Sequence, residues 1–218
     1  TISQLGEGRE VDREELARMM LSIQARGCHN INLVSPTHVV PHILDALELA
    51  VSMGLYSPLV YNSGGYDSME TLKLLDGIVD IYMPDMKYVD RLIARRLSKI
   101  GNYPVINQSA VREMHRQVGD LVLDERGIAQ RGLLVRHLIL PENFAGTEGI
   151  VHFLAEEISP NTYLNLMDQY RPAYRAAMYP PLDRSLTPKE YDDAVILAKR
   201  AGLDRLDDRQ RGIFLRRD

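Results

Sequence analysis

Short apolar runs and helically spaced apolar positions alternate along this chain. The first helical pattern follows Asp12, a predicted N-cap, with Glu15 three residues later as its capping-box partner. A short apolar run begins at Ile31, breaks at Ser35 and Pro36, and is followed by the next helical pattern. Because this order recurs, we expect parallel strands connected by crossover helices, in either a doubly wound sheet or a barrel.

The pattern predicts five core strands in one domain that covers residues 1–218. The strands lie at residues 31–34, 58–61, 78–83, 133–140 and 162–167, and the helices at 12–27, 41–53, from 68, from 90, 104–118, 147–158 and from 187. Residues 121–130 are typical of an inserted hairpin with Gly127 in a left-handed turn, and residues 170–185 of a surface segment that contains prolines. No linker divides the chain, so we expect a single α/β domain.

Composition and charge argue against several classes of partner. The net charge of -4 gives no electrostatic basis for nucleic-acid binding, which depends on many lysine and arginine contacts with phosphates. No apolar run approaches the roughly 20 residues that span a bilayer, and the first residues lack a signal-peptide pattern, so we expect no membrane partner and a cytoplasmic location. Cys28 is the only cysteine, and its place before a strand predicts a buried, unreactive thiol.

Polar side chains follow the predicted strands at their carboxyl ends, where parallel β/α folds build their ligand sites. Asp85 and Lys87 are the most informative, because residues two apart on a strand point to the same face. A carboxylate and an ammonium in one space suit a zwitterion, so they indicate an amino-acid-like ligand held by charge-assisted hydrogen bonds. The alternative is that Asp85 and Lys87 only pair with each other, and the spacing does not decide between the two.

Other positions carry weaker candidate chemistry. Asn62 precedes a Ser-Gly-Gly turn that can bring backbone N–H groups close to a ligand, although such a sequence is more often only a turn. Arg136 lies inside a strongly apolar strand, so it must face the site or pair with a carboxylate. His38 and His42 have the spacing of two metal ligands, but Pro41 argues against a continuous helix across them, and we favour a loop role for His38. No catalytic residue and no metal ligand is assigned.

The chain resembles radical S-adenosylmethionine (SAM) proteins in the segments that hold these residues. The match rests on Asp85-Met86-Lys87, on Asn62-Ser63-Gly64-Gly65, and on residues 134–141, 30–41 and 165–174. More narrowly, the chain is similar to uncharacterised iron-sulfur proteins related to pyruvate formate-lyase-activating enzyme. The resemblance implies a partial (β/α)6 TIM-like barrel of parallel strands with a SAM-binding site. The residues that it implies for this site are Asp85, Lys87, Asn62, Ser35, Thr37 and Arg136.

The chain departs from that family in two places. Ser35-Pro36-Thr37-His38 stands where the family has a glycine-rich loop that receives the methionine amino group. The CxxxCxxC loop, whose thiolates hold a 4Fe-4S cluster, is absent, and the sequence begins at Thr1, so we expect an N-terminally incomplete barrel without its first strand. The resemblance implies that the intact protein cleaves SAM reductively with this cluster and abstracts hydrogen from an unknown substrate, for which a partner protein is one candidate.

Two other functions stay open at this point. A cluster-free barrel aldolase or lyase would use Lys87 as a Schiff-base nucleophile and Asp85 to move protons. A non-catalytic module would bind SAM or a partner protein without turnover.

Overall fold

The computed structural model describes residues 8–207, which build a six-stranded sheet packed against helices. The strands are β1 (Ile31–Val34), β2 (Leu59–Ser63), β3 (Ile81–Pro84), β4 (Val122–Leu123), β5 (Ala129–Leu138) and β6 (Tyr163–Met167). Parallel pairs join β1 to β2, β2 to β3, β3 to β5 and β5 to β6, whereas β4 pairs antiparallel with the start of β5. The prediction of an α/β fold with parallel core strands is confirmed.

The helices fall between the strands as the apolar periodicity predicts. Within residues 8–207 the α-helices are α1 (Arg13–Ala25), α2 (Val40–Ser52), α3 (Met69–Leu74), α4 (Arg91–Ser98), α5 (Tyr103–Val118), α6 (Thr147–Phe153) and α7 (Pro188–Arg200). Asp12 caps α1 by accepting from the Glu15 backbone N–H, but the Glu15 carboxylate pairs with Arg9. The predicted box is therefore incomplete at α1, whereas a complete capping box between Thr187 and Glu190 begins α7.

The strand order differs from that of a doubly wound sheet, which was one of the two architectures that the sequence left open. A doubly wound sheet reverses its order at a switch point, whereas here each core strand lies beside the one before it in the chain. Among the described residues β1 pairs only with β2, so no closed barrel forms within them. The free edge of β6 is bridged by Leu206, with the Leu164 N–H donating to the Arg205 carbonyl and the Asp207 N–H to the Leu164 carbonyl. This short parallel contact follows α7 and was not predicted.

Two strand boundaries differ from the sequence prediction for local reasons. The strand predicted from residue 78 begins only at Ile81, because the Asp80 carboxylate accepts from the Leu59 N–H and keeps the preceding residues in a turn. The hairpin arm and the strand predicted from residue 133 are one continuous strand, β5. Gly132, at a φ of +119°, lets the two backbones approach, since a Cβ there would lie 2.3 Å from the Asp120 carbonyl oxygen. Gly127 has the predicted left-handed conformation, with a φ of +77°.

The two faces of the sheet carry different residues. One face packs on the helices through side chains such as Tyr61, Val135 and Leu164. The other, called the inner face below, carries a smaller apolar cluster that includes Val60 and Ile81 and contains no residue of an α-helix. Within the described residues, no α-helix therefore contributes to the apolar cluster of the inner face.

Two further expectations concern surface and membrane. Cys28 is exposed, so the prediction of a buried thiol is wrong. It lies in the turn after α1, directly after Gly27 and before the chain enters the sheet. Of the helices in residues 8–207, none has the length and apolar character that crossing a bilayer requires.

Candidate functional site

A row of polar side chains crosses the inner face near the carboxyl ends of three strands. Asp85, directly after β3, forms a parallel bridge with Arg136 of β5, and Arg136 is in register with Asn165 of β6. Residues in register on parallel strands share a face. In the neighbouring row Asn62 of β2 is in register with Met83 of β3. The alternation that buries Val135 and His137 against the helices thus directs Arg136 to the inner face.

Asp85 is paired with two cations at once. The Arg136 Nε and Nη2 donate to Asp85 Oδ1 at 2.9 and 2.6 Å, and the Lys87 Nζ donates to Asp85 Oδ2 at 2.5 Å. The exposed fractions of the side chains are 15% for Asp85, 27% for Arg136 and 42% for Lys87. One carboxylate between two cations leaves a net positive charge, and the most exposed of the three ion-pair partners, Lys87, is the one whose contact costs least to break.

Helix α5 fixes the backbone that carries this cluster. The Tyr103 hydroxyl accepts from the Lys87 N–H and lies 2.9 and 3.0 Å from the carbonyl oxygens of Gly64 and Asp85, to one of which it donates. Burial raises the pKa of Tyr103, so the hydroxyl stays protonated. One turn later, the Asn107 Nδ2 donates to the carbonyls of Gly65 and Asp85, both at 2.9 Å. Tyr103 and Asn107, called the α5 clamp below, join the ends of β2 and β3.

His137 supports the same segment from the helix side of the sheet. It is completely buried, its Nδ1 lies 2.7 Å from the Met86 carbonyl oxygen, and its Nε2 lies 2.9 Å from the Thr147 Oγ1. Because a carbonyl only accepts, Nδ1 carries the proton and Nε2 accepts from Thr147. Burial lowers the pKa of His137 to about 4, so the ring is neutral at pH 7. These two contacts and the complete burial of the ring give His137 a structural role.

The other residues that the resemblance implied lie on the neighbouring strand ends. Ser35 follows β1 in a left-handed conformation, with a φ of +52°, and its N–H donates to the Asn62 carbonyl at 2.8 Å. The Thr37 hydroxyl donates to the Asp67 carboxylate at 2.7 Å. The structure therefore places Ser35 beside Asn62 and gives the Thr37 hydroxyl a partner within the protein.

Asp67 was missed by the sequence analysis. It is 2% exposed and accepts from the hydroxyls of Thr37, Tyr61 and Ser63, the last two at 2.9 and 2.6 Å. It thereby ties the loop after β1 to the end of β2. No sequence signal distinguishes Asp67 from an ordinary loop aspartate, because its three partners are brought to it only by the fold.

Asn165 was also missed, although a signal for it exists. It stands between the buried Leu164 and Leu166, so it interrupts an apolar strand as Arg136 does. Among residues 8–207, the side-chain amides of Asn62 and Asn165 have no hydrogen-bond partner. Two free amides therefore accompany the ion-pair cluster on the inner face.

The histidine pair provides no metal site in this part of the chain. His38 ends the short 3-10 turn Pro36–His38, and His42 lies in α2. Nowhere in residues 8–207 do three or more histidine, cysteine, aspartate or glutamate side chains come together in a way that could hold a metal ion.

Comparison with known proteins supports the fold. No protein-family model matches the sequence. The chain is 35% identical over 178 residues to an uncharacterized protein of Methanocaldococcus jannaschii, a match that covers 80% of this chain and 47% of that protein, so the chain spans about half the length of this relative. It is also similar to the crystal structure of a domain of pyruvate-formate lyase-activating enzyme from Bacteroides vulgatus, with a TM-score of 0.56, 12% identity, and coverage of 82% of this chain and 97% of that one. At this identity, the chain shares with that domain its fold.

Proposed function

We propose that the strand-end site binds SAM by the amino-acid group of its methionine moiety. The observation that carries the proposal is the placement of Asp85 between Lys87 and Arg136, on the inner face, at the carboxyl ends of parallel strands. Ligands of parallel β/α folds bind at this edge of the sheet. The fold shared with a domain of pyruvate-formate lyase-activating enzyme supports the choice of SAM.

A zwitterionic ligand fits this cluster by an exchange of partners. The Lys87 ammonium leaves Asp85 Oδ2 for the ligand carboxylate, and the freed oxygen accepts from the ligand ammonium, while Arg136 keeps its bond to Asp85 Oδ1. Lys87 is 42% exposed, so moving it costs little. The two alternatives that the sequence left open, an internal ion pair and a ligand site, are then two states of one cluster.

The rest of the ligand would find hydrogen-bonding groups on the same face. The amides of Asn62 and Asn165 each offer a donor and an acceptor, which suit ribose hydroxyls and the edge of an adenine ring. The α5 clamp holds the strand ends so that these groups do not need to be ordered when the ligand binds. The sequential strand order supports the proposal that the whole chain is a partial (β/α)6 barrel.

The residues of this chain do not fit a 4Fe-4S cluster. The cluster of the radical SAM class needs three thiolates, and Cys28 is the only cysteine in the sequence. Cys28 lies before β1, at the opposite end of the strands from Asp85. When reduced by such a cluster, SAM supplies a 5′-deoxyadenosyl radical, and the thiolates for that reaction have to come from outside these 218 residues. We therefore propose SAM binding for this chain and radical chemistry only for a protein that adds those thiolates.

The aldolase alternative is less well supported by the geometry. A Schiff-base lysine is typically desolvated in an apolar pocket or placed next to another cation. Arg136 is a second cation near Lys87, but the Asp85 carboxylate lies between the two. Lys87 is 42% exposed and paired with the Asp85 carboxylate at 2.5 Å. Reduction with borohydride in the presence of a carbonyl compound should accordingly modify Lys87 no faster than an ordinary exposed lysine such as Lys189.

Asp85→Asn should weaken SAM binding by about 10- to 100-fold, because the ligand ammonium loses a charge-assisted hydrogen bond. Isothermal titration of SAM into the purified chain measures this loss. The matched control is Asp90→Asn, which removes the same charge five residues away but keeps an effective N-cap for α4. Equal affinities in the Asp85 and Asp90 variants would rule out Asp85 as the ammonium acceptor.

A further inference from the structure

A cavity of about 490 Å³ opens beside the ion-pair cluster. It begins one residue beyond Lys87 and two residues beyond Arg136, at Tyr88 and Leu138. The segment of residues 173–182, which follows β6, closes it on the far side. The residues that give the cavity its chemistry are Tyr88, Arg96, Lys99, Tyr170, Arg175 and Tyr179. Its volume lies in the range of roughly 300–1,000 Å³ that small-molecule sites occupy.

The lining is cationic, and none of the described residues contributes a carboxylate to it. Arg96, Lys99 and Arg175 all contribute to it, and none of the three forms an ion pair with another residue in 8–207. Asp183 carries a carboxylate that interacts electrostatically with Tyr170, but it is exposed and does not line the cavity. An unpaired group of three cations in a concave site attracts an anion.

Arg96 is the cation best prepared to bind one. Its guanidinium carbon lies 5.3 Å from the centre of the Tyr179 ring and 5.8 Å from that of Phe144. Stacking on two rings restrains the planar guanidinium. No residue in 8–207 accepts from its N–H groups, so they can pair with a carboxylate or phosphate, whose geometry they match. Less side-chain entropy is then lost when the anion binds.

The other residues that line the cavity indicate what kind of body the anionic ligand has. Leu138, Leu140 and Leu182 form an apolar floor, and both Leu140 and Leu182 belong to a buried cluster. The tyrosine rings of Tyr88 and Tyr170 pack against the same cluster. Such walls favour a flat apolar body over a sugar or a free inorganic ion.

We propose that this cavity binds a small organic anion with an aromatic body, whose carboxylate or phosphate group is held by Arg96. Its position next to Lys87 makes that ligand the substrate that lies beside the bound cofactor. This assignment as substrate rests on the proposed function, whereas the binding of the anion does not.

Titration calorimetry of the full chain with phenyl phosphate and with benzoate tests the proposal. Both should bind saturably with one site, while benzyl alcohol, which lacks the charge, and inorganic phosphate, which lacks the ring, should bind at least about tenfold more weakly. Arg96→Gln should weaken phenyl phosphate by about tenfold or more. Arg95→Gln is the matched control, because it removes the same charge from the neighbouring position of α4 but does not line the cavity; it should change the affinity less than twofold.

The outcomes separate this proposal from the proposed function. No saturable binding of either aromatic anion, or equal losses in the Arg96 and Arg95 variants, would overturn it. Arg175→Gln provides a second variant if circular dichroism shows that Arg96→Gln does not fold. SAM added to saturation should leave the affinity for phenyl phosphate within about twofold, and competition would show that the cavity belongs to the cofactor site and overturn the proposal. If phenyl phosphate binds as expected and SAM does not bind, the proposal of an anion site in the cavity is supported and the proposed function is contradicted.

Discussion

Gly65→Ala should lower the free energy of unfolding by about 3–4 kcal/mol and abolish SAM binding. Gly65 has a φ of +71°, a conformation that costs an alanine about 1–2 kcal/mol. An added Cβ would also lie 2.2 Å from the Asn107 Nδ2 and 2.3 Å from the Asp85 carbonyl oxygen. The second contact is with backbone, so relieving it separates the turn after β2 from the segment after β3 that carries the Asp85 carboxylate. Chemical denaturation and SAM titration measure the two effects.

Gly64→Ala is the matched control for this experiment. At Gly64 the nearest atom to an added Cβ is the Lys87 Cε at 3.9 Å, an ordinary van der Waals distance. Its backbone has no positive φ, so alanine causes no strain. We expect Gly64→Ala to change the free energy of unfolding by less than about 1 kcal/mol. Similar losses in the two variants would mean that the close approach of β2 to β3 does not hold the site.

The same pair of glycines shows what sequence reasoning could reach at this site. The Ser-Gly-Gly sequence is compatible with a close approach of backbone to a ligand, but it is more often only a turn. The structure gives the second glycine a specific neighbour, Asn107, which lies on another element 42 residues away in the chain. The contact between Gly65 and Asn107 depends on how α5 packs on the sheet, and no local sequence pattern predicts it.

The site residues that can be predicted from the sequence are those that interrupt an apolar pattern. Arg136 was identified because a guanidinium inside an apolar strand needs a partner, and that partner is Asp85. Asn165 follows the same rule and was within reach of the same reasoning. Tyr103 gives no such signal, because a tyrosine at the start of a helix with a buried face is ordinary, and only the fold shows that its hydroxyl meets the Lys87 N–H.

The architecture was predictable in type but not in pairing order. Alternating strand and helix patterns are common to doubly wound sheets and barrels, so they predicted parallel strands without choosing between the two. The order in which strands pair is a tertiary property, and the register of Asp85 with Arg136 follows from it. Single residues such as Arg136 can therefore be marked as candidates from the sequence, whereas the way in which the fold brings them together cannot.

Lowering the pH from 7 to 5 should reduce the free energy of unfolding by about 2 kcal/mol through His137 alone. Its pKa is about 4 in the folded protein, against an ordinary value of 6.5. Between these two values the unfolded chain binds a proton that the folded protein does not, so stability falls as the pH falls through this window. Above the ordinary pKa of 6.5 this stability is retained, and the loss reaches about 3 kcal/mol when the pH has fallen to the folded-state pKa of about 4.

Denaturation with urea across this range measures the effect, and the variant His137→Asn isolates it. Asparagine can still donate to the Met86 carbonyl but does not titrate, so the variant should be less stable at pH 7 and lose less stability on acidification. His29→Asn, which replaces an exposed histidine, should keep the wild-type slope. Carboxylates with lowered pKa values, such as Glu113 at about 2, lose their stabilising effect only when the pH falls below their ordinary values. The change in the free energy of unfolding between pH 7 and 5 therefore reports mainly on histidine. A wild-type slope in His137→Asn would show that His137 does not lose its proton on folding, and the support that it gives to the Asp85 segment would need another explanation.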